Sequence, residues 1–289
     1  MREFNKDLYS PEKTDANTIE YVKTDSEQLN ELLGGGLRTG NLVVVQAPSG
    51  AGKTTFMMRL FIRALLARKK VAYISIGEQD ETEVFERIAC MEKKIDYANF
   101  IDTRTSEECE KIKDFLDSFS NRINIYYSDD PFSPIVDKNG ELHPADIYAI
   151  MKDIKEKDIK FVFMDYLGAS MAENLDSQYS YLTKLAAKLK NACTNRNIMI
   201  FTAMQTNRML KNALRGSEFD PSSIDETFMA DSIGPARKAS ICMSLFERQG
   251  QYYLNVFKNR LNGKLGVIQF DFKPLSYQWV EFFNGKEGF

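Results

Sequence analysis

Runs of apolar residues alternate along this chain with segments whose apolar positions recur at helical spacing. The continuous runs at 42–45, 71–76, 123–127, 161–164, 198–203 and 241–246 predict buried strands. Between them, four sets of apolar residues predict amphipathic helices. These are Phe56, Met57, Leu60, Phe61, Ala64 and Leu65; Ile112, Phe115, Leu116 and Phe119; Ile147, Ile150, Met151 and Ile154; and Leu182, Leu185, Ala186 and Leu189. Such alternation predicts an α/β fold, a mostly parallel sheet flanked by helices on both faces, with ligands at the carboxyl ends of the strands. The tail changes character. Tyr252, Leu254 and Val256 alternate, a turn falls near Asn262-Gly263, and Ile268, Phe270 and Phe272 alternate again, which predicts a C-terminal β-hairpin.

Ahead of the first strand, Asp25 is expected to cap a short helix bearing Gln28, Leu29, Leu32 and Leu33, stopped by Gly34-Gly35-Gly36. Residues 1–24 are polar and weakly periodic and read as an N-terminal arm or linker, with 25–289 as one domain.

Composition narrows the classes. A chain of 289 residues with 43% hydrophobic content can bury a sizeable core, and a net charge of −3 means that nucleic acid would be gripped by a local basic surface. Cys90, Cys109, Cys193 and Cys242 form no CxxC pair, and with His143 as the single histidine they do not supply zinc-ligand spacing. They read as reduced thiols. The N-terminus shows no apolar signal core and no stretch is long enough to cross a bilayer, so the expected compartment is the cytoplasm, with no membrane partner.

The chemistry concentrates between the run at 42–45 and the helix after it. Ala47-Pro48-Ser49-Gly50-Ala51-Gly52-Lys53-Thr54-Thr55 has the form of a phosphate loop. Small residues let backbone N–H groups turn inward on the phosphates of ATP, Lys53 reaches the β- and γ-phosphates, and the Thr54 hydroxyl holds Mg²⁺. The helix N-terminus adds a favourable dipole. The alternative, a small-residue turn that happens to contain Gly-Lys-Thr, does not explain the strand before it and the helix after it.

A triphosphatase also needs a second metal anchor, a carboxylate for the attacking water and a group facing the γ-phosphate. Phe161-Val162-Phe163-Met164-Asp165 is a buried strand ending in a carboxylate, which makes Asp165 the second Mg²⁺ anchor. Tyr166 follows it rather than Glu, so the water-orienting base is sought at Glu78, after the strand ending at Ile76. Glu78 also reads as one of several acids enriching the next helix's first turn, with Asp80, Glu81 and Glu83. Gln205, at the end of another strand, suits contact with the γ-phosphate, or is an ordinary loop residue.

Together these residues resemble the RecA-like ATPase core of the DnaB-type ring helicases, over roughly residues 25–283. The matching pieces are Gly36-Leu37, the stretch Ala47 to Thr55, Glu78, Asp165-Tyr166-Leu167, Gln205-Thr206-Asn207-Arg208, and Lys258-Asn259-Arg260 followed by Asn262-Gly263. The resemblance implies that Lys258 and Arg260 act in trans on the nucleotide of the next subunit in a homo-oligomeric, hexameric ring. Without it, they read as solvated hairpin charges. It also implies translocation on single-stranded DNA with five-to-three-prime polarity, and makes 206–217 and 168–176 the DNA-facing loops. The first of these carries Arg208, Lys211 and Arg215 and no acid, which suits backbone affinity without base readout, or a solvated loop.

DnaB-type proteins usually carry a helical N-terminal domain that engages primase, and here only the short arm is read ahead of the core. Contacts with primase or a loader stay open, and the arm is expected to pack on a neighbour. Two other classes stay open as well: a recombination- or clock-type relative that uses ATP as a switch without unwinding, and an accessory ATPase that remodels another protein.

Overall fold

The computed structural model describes residues 18–75, 79–127, 144–165, 167, 175–216, 219–230, 232–273 and 278–281. Its first element is a clasp. Strand β1 (Tyr21–Val22) pairs antiparallel with β2 (Leu37–Arg38) around helix α1 (Glu27–Leu32). Val22 is buried, so this part of the expected arm is packed structure; residues 1–17 lie outside the described residues. Gly36 is required by close approach, since a Cβ there would stand 2.4 Å from the Val22 carbonyl oxygen, and by its positive φ of 123°.

The cap of α1 differs from the expectation. Ser26, not Asp25, is the N-cap, its Oγ accepting from the Leu29 N–H at 2.9 Å. Asp25 instead pairs with Arg59 at 2.6 Å and Arg63 at 3.2 Å. Two adjacent residues could cap, and the tertiary ion pairs decide which does.

The main elements follow in order: β3 (Leu42–Ala47), α2 (Lys53–Leu66), β4 (Val71–Ser75), α3 (Glu81–Lys93), α4 (Tyr97–Thr103), α5 (Ser106–Phe119), β5 (Ile123–Tyr127), α6 (Pro144–Glu156), β6 (Phe161–Asp165), α7 (Leu175–Arg196), β7 (Met199–Gln205), α8 (Arg208–Ala213), α9 (Gly234–Lys238), β8 (Ile241–Arg248), β9 (Gln251–Asn259), β10 (Gly266–Lys273) and β11 (Gln278–Glu281). Among the described residues the sheet order is β11-β10-β9-β8-β3-β7-β6-β4-β5. The six strands from β8 to β5 run parallel and the rest antiparallel. The expected hairpin is there as β9–β10, preceded by a tighter one, β8–β9, turned at Gln249 and Gly250 with φ of 54° and 79°.

Every residue of β3 is buried, as a strand covered on both faces requires. One face carries α2, whose Phe61 packs edge-on to Tyr73 at 5.8 Å and Phe163 at 5.6 Å. The other carries α6 and α7, with Leu182, Leu185 and Leu189 fully buried. Each such side chain contributes about 1.5–3 kcal/mol on burial, and the two cores together fix β3 in the middle of the molecule.

Candidate active site

The loop after β3 leaves the carboxyl end of the central strand and turns through Gly50 and Gly52, both in the left-handed region at φ of 79° and 83°. No side chain caps the N-terminus of α2, and its first turn holds no acid, so the positive end of the helix dipole at this loop is not offset by a carboxylate of its own. Lys53 folds back, its Nζ donating to the Pro48 carbonyl at 3.4 Å. Thr54 Oγ1 donates to Asp165 Oδ2 at 2.6 Å, joining residues far apart in sequence. Parallel pairing of β3, β7, β6 and β4 brings their ends together there.

Asp165 is 1% exposed, and Tyr73 also donates to its Oδ2, at 3.1 Å. Burial pushes the carboxyl above the usual carboxylate range, against the hydrogen bonds from Thr54 and Tyr73 that pull it down. Its Oδ1 is buried with no hydrogen-bond partner among the described residues. A carboxylate with one orphaned oxygen beside a threonine hydroxyl is a fitting donor set for a hard, oxygen-seeking cation such as Mg²⁺.

Gln205 ends β7 directly beside the start of the loop: it is in register with Ala47, and Thr206 N donates to the Ala47 carbonyl at 3.1 Å. The chain then forms α8 rather than an irregular loop, with Asn207 capping it and Leu210 buried. Arg208, Lys211 and Arg215 are exposed and line a cavity of about 500 Å³ whose other walls include Pro48, Ser49, Gly50, Ala51, Gln205 and Tyr252. The cations expected to face DNA thus open onto the phosphate loop as well. Glu78, Tyr166 and the stretch 168–174 of the second expected DNA loop lie outside the described residues.

Lys258 and Arg260 stand at the other end of the sheet. Lys258 pairs with Cys242 in the β8–β9 register, and Arg260 N donates to the Ser240 carbonyl at 2.8 Å. Ser240 N in turn donates to Leu42, the first residue of β3. Arg260 is thus level with Leu42, and Lys258, through Cys242, is level with Val44; at 3.3 Å per residue, roughly 17 Å and 10 Å of strand separate those levels from Ala47. Their side chains are held by α9: Lys258 Nζ donates to the Ala236 carbonyl and to that of Arg237 at 3.3 Å, and an Arg260 Nη donates to the Arg237 carbonyl at 3.2 Å. Burial, opposed by the Cys242 and Glu226 charges and aided by Arg260, lowers the ammonium pKa of Lys258.

Comparison with known proteins decides the family. The family model for the DnaB-like helicase C-terminal domain matches residues 21–280. The chain belongs to that family. The replicative DNA helicase DnaB of Haemophilus influenzae is 22% identical over 247 residues, 82% of this chain and 50% of its own length. The DNA repair protein RadA of Listeria monocytogenes is 39% identical over 64 residues, 22% of this chain and 14% of its own. The chain thus spans half or less of the curated relatives it matches. Among solved structures, the ATPase domain of G40P superposes with a TM-score of 0.72 at 17% identity, covering 96% of both chains. A DnaB-like replicative helicase studied with primase gives 0.74 at 19% identity, covering 94% of this chain and 65% of its own. These likenesses show a shared RecA-like fold.

For a DnaB-like domain, the sequence motifs mark Thr54, Asp165 and Gln205 but not Tyr73, which reads as one more buried strand residue. Nor did they mark α9, whose residues Gly234-Pro235-Ala236-Arg237-Lys238 carry no motif. The buried Cys90, Cys193 and Cys242 are packing residues with thiols pushed up to about 12 by burial, and Cys109 is exposed. No helix among the described residues is long and apolar enough to cross a membrane.

Proposed function

We propose that this chain is the ATP-hydrolysing motor of a replicative-type helicase, working in the cytoplasm as a hexameric ring that moves along single-stranded DNA. Residues Pro48 to Thr55 cradle the phosphates, with Lys53 on the β- and γ-phosphates. Thr54 and Asp165 hold Mg²⁺, which when bound neutralises charge on the phosphate oxygens. Glu78 orients the attacking water and Gln205 faces the γ-phosphate. Lys258 and Arg260 complete the site of the next subunit, stabilising charge on the phosphoryl group in transfer. Arg208, Lys211 and Arg215 grip the DNA backbone, and primase or a loader is the expected protein partner.

The observation that carries this reading is the separation of the two ends of β3. Arg260, level with the first residue of β3, stands a strand's length from its own phosphate loop, which supports a role at a loop brought in by another protomer; Lys258, level with Val44, is assigned with it by the family resemblance. The test is the ATPase rate with and without single-stranded DNA, run alongside a mass measurement in nucleotide. The reading expects a multimer in nucleotide and a DNA-stimulated rate; a protomer that hydrolyses ATP at full speed as a monomer refutes it.

The segment shared with RadA favours a second reading, a recombination-type ATPase that does not unwind. Strand displacement on a forked duplex separates the two: the helicase displaces a strand and the switch does not.

A further inference from the structure

Helix α9 is only five residues long, yet its last carbonyls hold both cations assigned above to the neighbouring site. A helix C-terminus carries partial negative charge, so ammonium and guanidinium groups are retained there. The other end of α9 is wedged against α7. A methyl group on Gly234 would lie 1.9 Å from Thr183 Oγ1 and 2.7 Å from Thr183 Cβ, far inside contact distance. Gly234 has no positive φ, so what demands glycine is the close approach and not the backbone conformation. Ser232 joins the same contact, its Oγ accepting from Gly234 N at 3.0 Å and lying 3.4 Å from Thr183 Oγ1.

The chain leading into α9 is tied to the other end of the sheet. Ala230 N donates to the Gln205 carbonyl at 2.9 Å, and Asn207 N donates to the Phe228 carbonyl at 2.8 Å. Helix α9 therefore lies between the protomer's own phosphate-facing amide and the cations it offers to a neighbour.

We propose that the Thr183–Gly234 contact between α7 and α9 sets where Lys258 and Arg260 stand, which makes Thr183 and Gly234 positioning residues for hydrolysis in the adjacent protomer. The inference rests on the trans role given to the two cations above. A methyl 1.9 Å from Thr183 Oγ1 must move away by about 1.5 Å to reach ordinary contact, and a misplacement of about 1 Å far from the chemistry can cost on the order of 10²-fold in rate.

The test mixes wild-type protomers with an excess of protomers carrying Lys53→Ala, which lack their own turnover but still offer Lys258 and Arg260. Turnover per wild-type protomer then reports cations supplied in trans. Adding Gly234→Ala to the Lys53→Ala protomer is expected to lower that turnover by about 10²-fold, with ATP affinity unchanged. Thr183→Ala placed with it removes the oxygen that the methyl strikes and restores part of the loss. A packing role without positioning would lower the melting temperature of the altered protomer and leave its partner's turnover intact. Arg260→Ala in the same doping protomer is the control. If it leaves the wild-type turnover unchanged, the trans reading itself fails. If it lowers turnover while Gly234→Ala, in protomers that mass measurement finds in the assembly, does not, this inference alone is overturned. Should Gly234→Ala not fold, Thr183→Ala by itself loosens the contact without a clash: a several-fold fall in the partner's turnover supports the proposal and an unchanged rate overturns it.

Discussion

The two ends of β3 handle charge in opposite ways. At the carboxyl end, exposed cations of α8 line a cavity with the loop after β3, no side chain caps α2, and Asp165 keeps one oxygen with no hydrogen-bond partner among the described residues. Towards the amino end, Lys258 and Arg260 donate to carbonyls of α9 in their own chain. Under the trans role proposed above, the first end receives nucleotide and the second presents cations to a neighbour.

The sharpest way to break this comparison is Arg260→Ala. Loss of a trans arginine is expected to lower kcat by about 10³-fold or more, with ATP affinity little changed; steady-state turnover against nucleotide titration measures both. A loss of binding with kcat retained would place Arg260 in its own protomer's pocket. Next comes Tyr73→Phe, which removes one donor from Asp165 without changing the core. Partners behind metal ligands typically matter by about 10–100-fold, so the Mg²⁺ concentration for half-maximal turnover should rise within that range.

Asp165→Asn sharpens the comparison through pH. Burial raises the Asp165 pKa in the nucleotide-free protein, so the folded state holds a proton that the unfolded chain gives up. Its contribution to stability is therefore present below the unfolded carboxylate range and is lost as pH rises through the raised value. Asparagine does not titrate. Without nucleotide, the variant should melt above wild type near neutral pH, the gap narrowing as pH falls towards the unfolded carboxylate pKa of about 4. Mg²⁺-dependent stabilisation by ATP should disappear. The smallest expected effect is Ser26→Ala, about 1 kcal/mol of stability from the lost cap, read by denaturant titration.

What was legible in the sequence was what chemistry forces to be local. The phosphate loop needs its small residues, lysine and threonine within one turn, and buried parallel strands must be continuously apolar, so β3, β4, β6 and β7 stood out. Contacts between distant elements were not legible. Tyr73 differs from any aromatic strand residue only in reaching Asp165, and Gly234 matters only because Thr183 stands against it. The β9–β10 hairpin was legible, but the β8–β9 turn before it was not, because Gln249 supplies a positive φ where glycine or asparagine is the usual signal. Asp25 and Ser26 are equally good caps until Arg59 and Arg63 claim the aspartate. The run from Arg208 to Arg215 looked like a loop because a helix of six residues has too few apolar positions to show a period.

The clasp of β1 on β2 has a mechanical consequence. Thr18 O accepts from the Asn197 side chain at 3.0 Å and Glu20 pairs with Lys69 at 2.7 Å, both at the amino edge of the sheet. The polypeptide therefore enters the fold on the side that displays Lys258 and Arg260. Tension on residues ahead of Thr18 is delivered first to that edge and meets the loop after Ala47 only after crossing the span of β3.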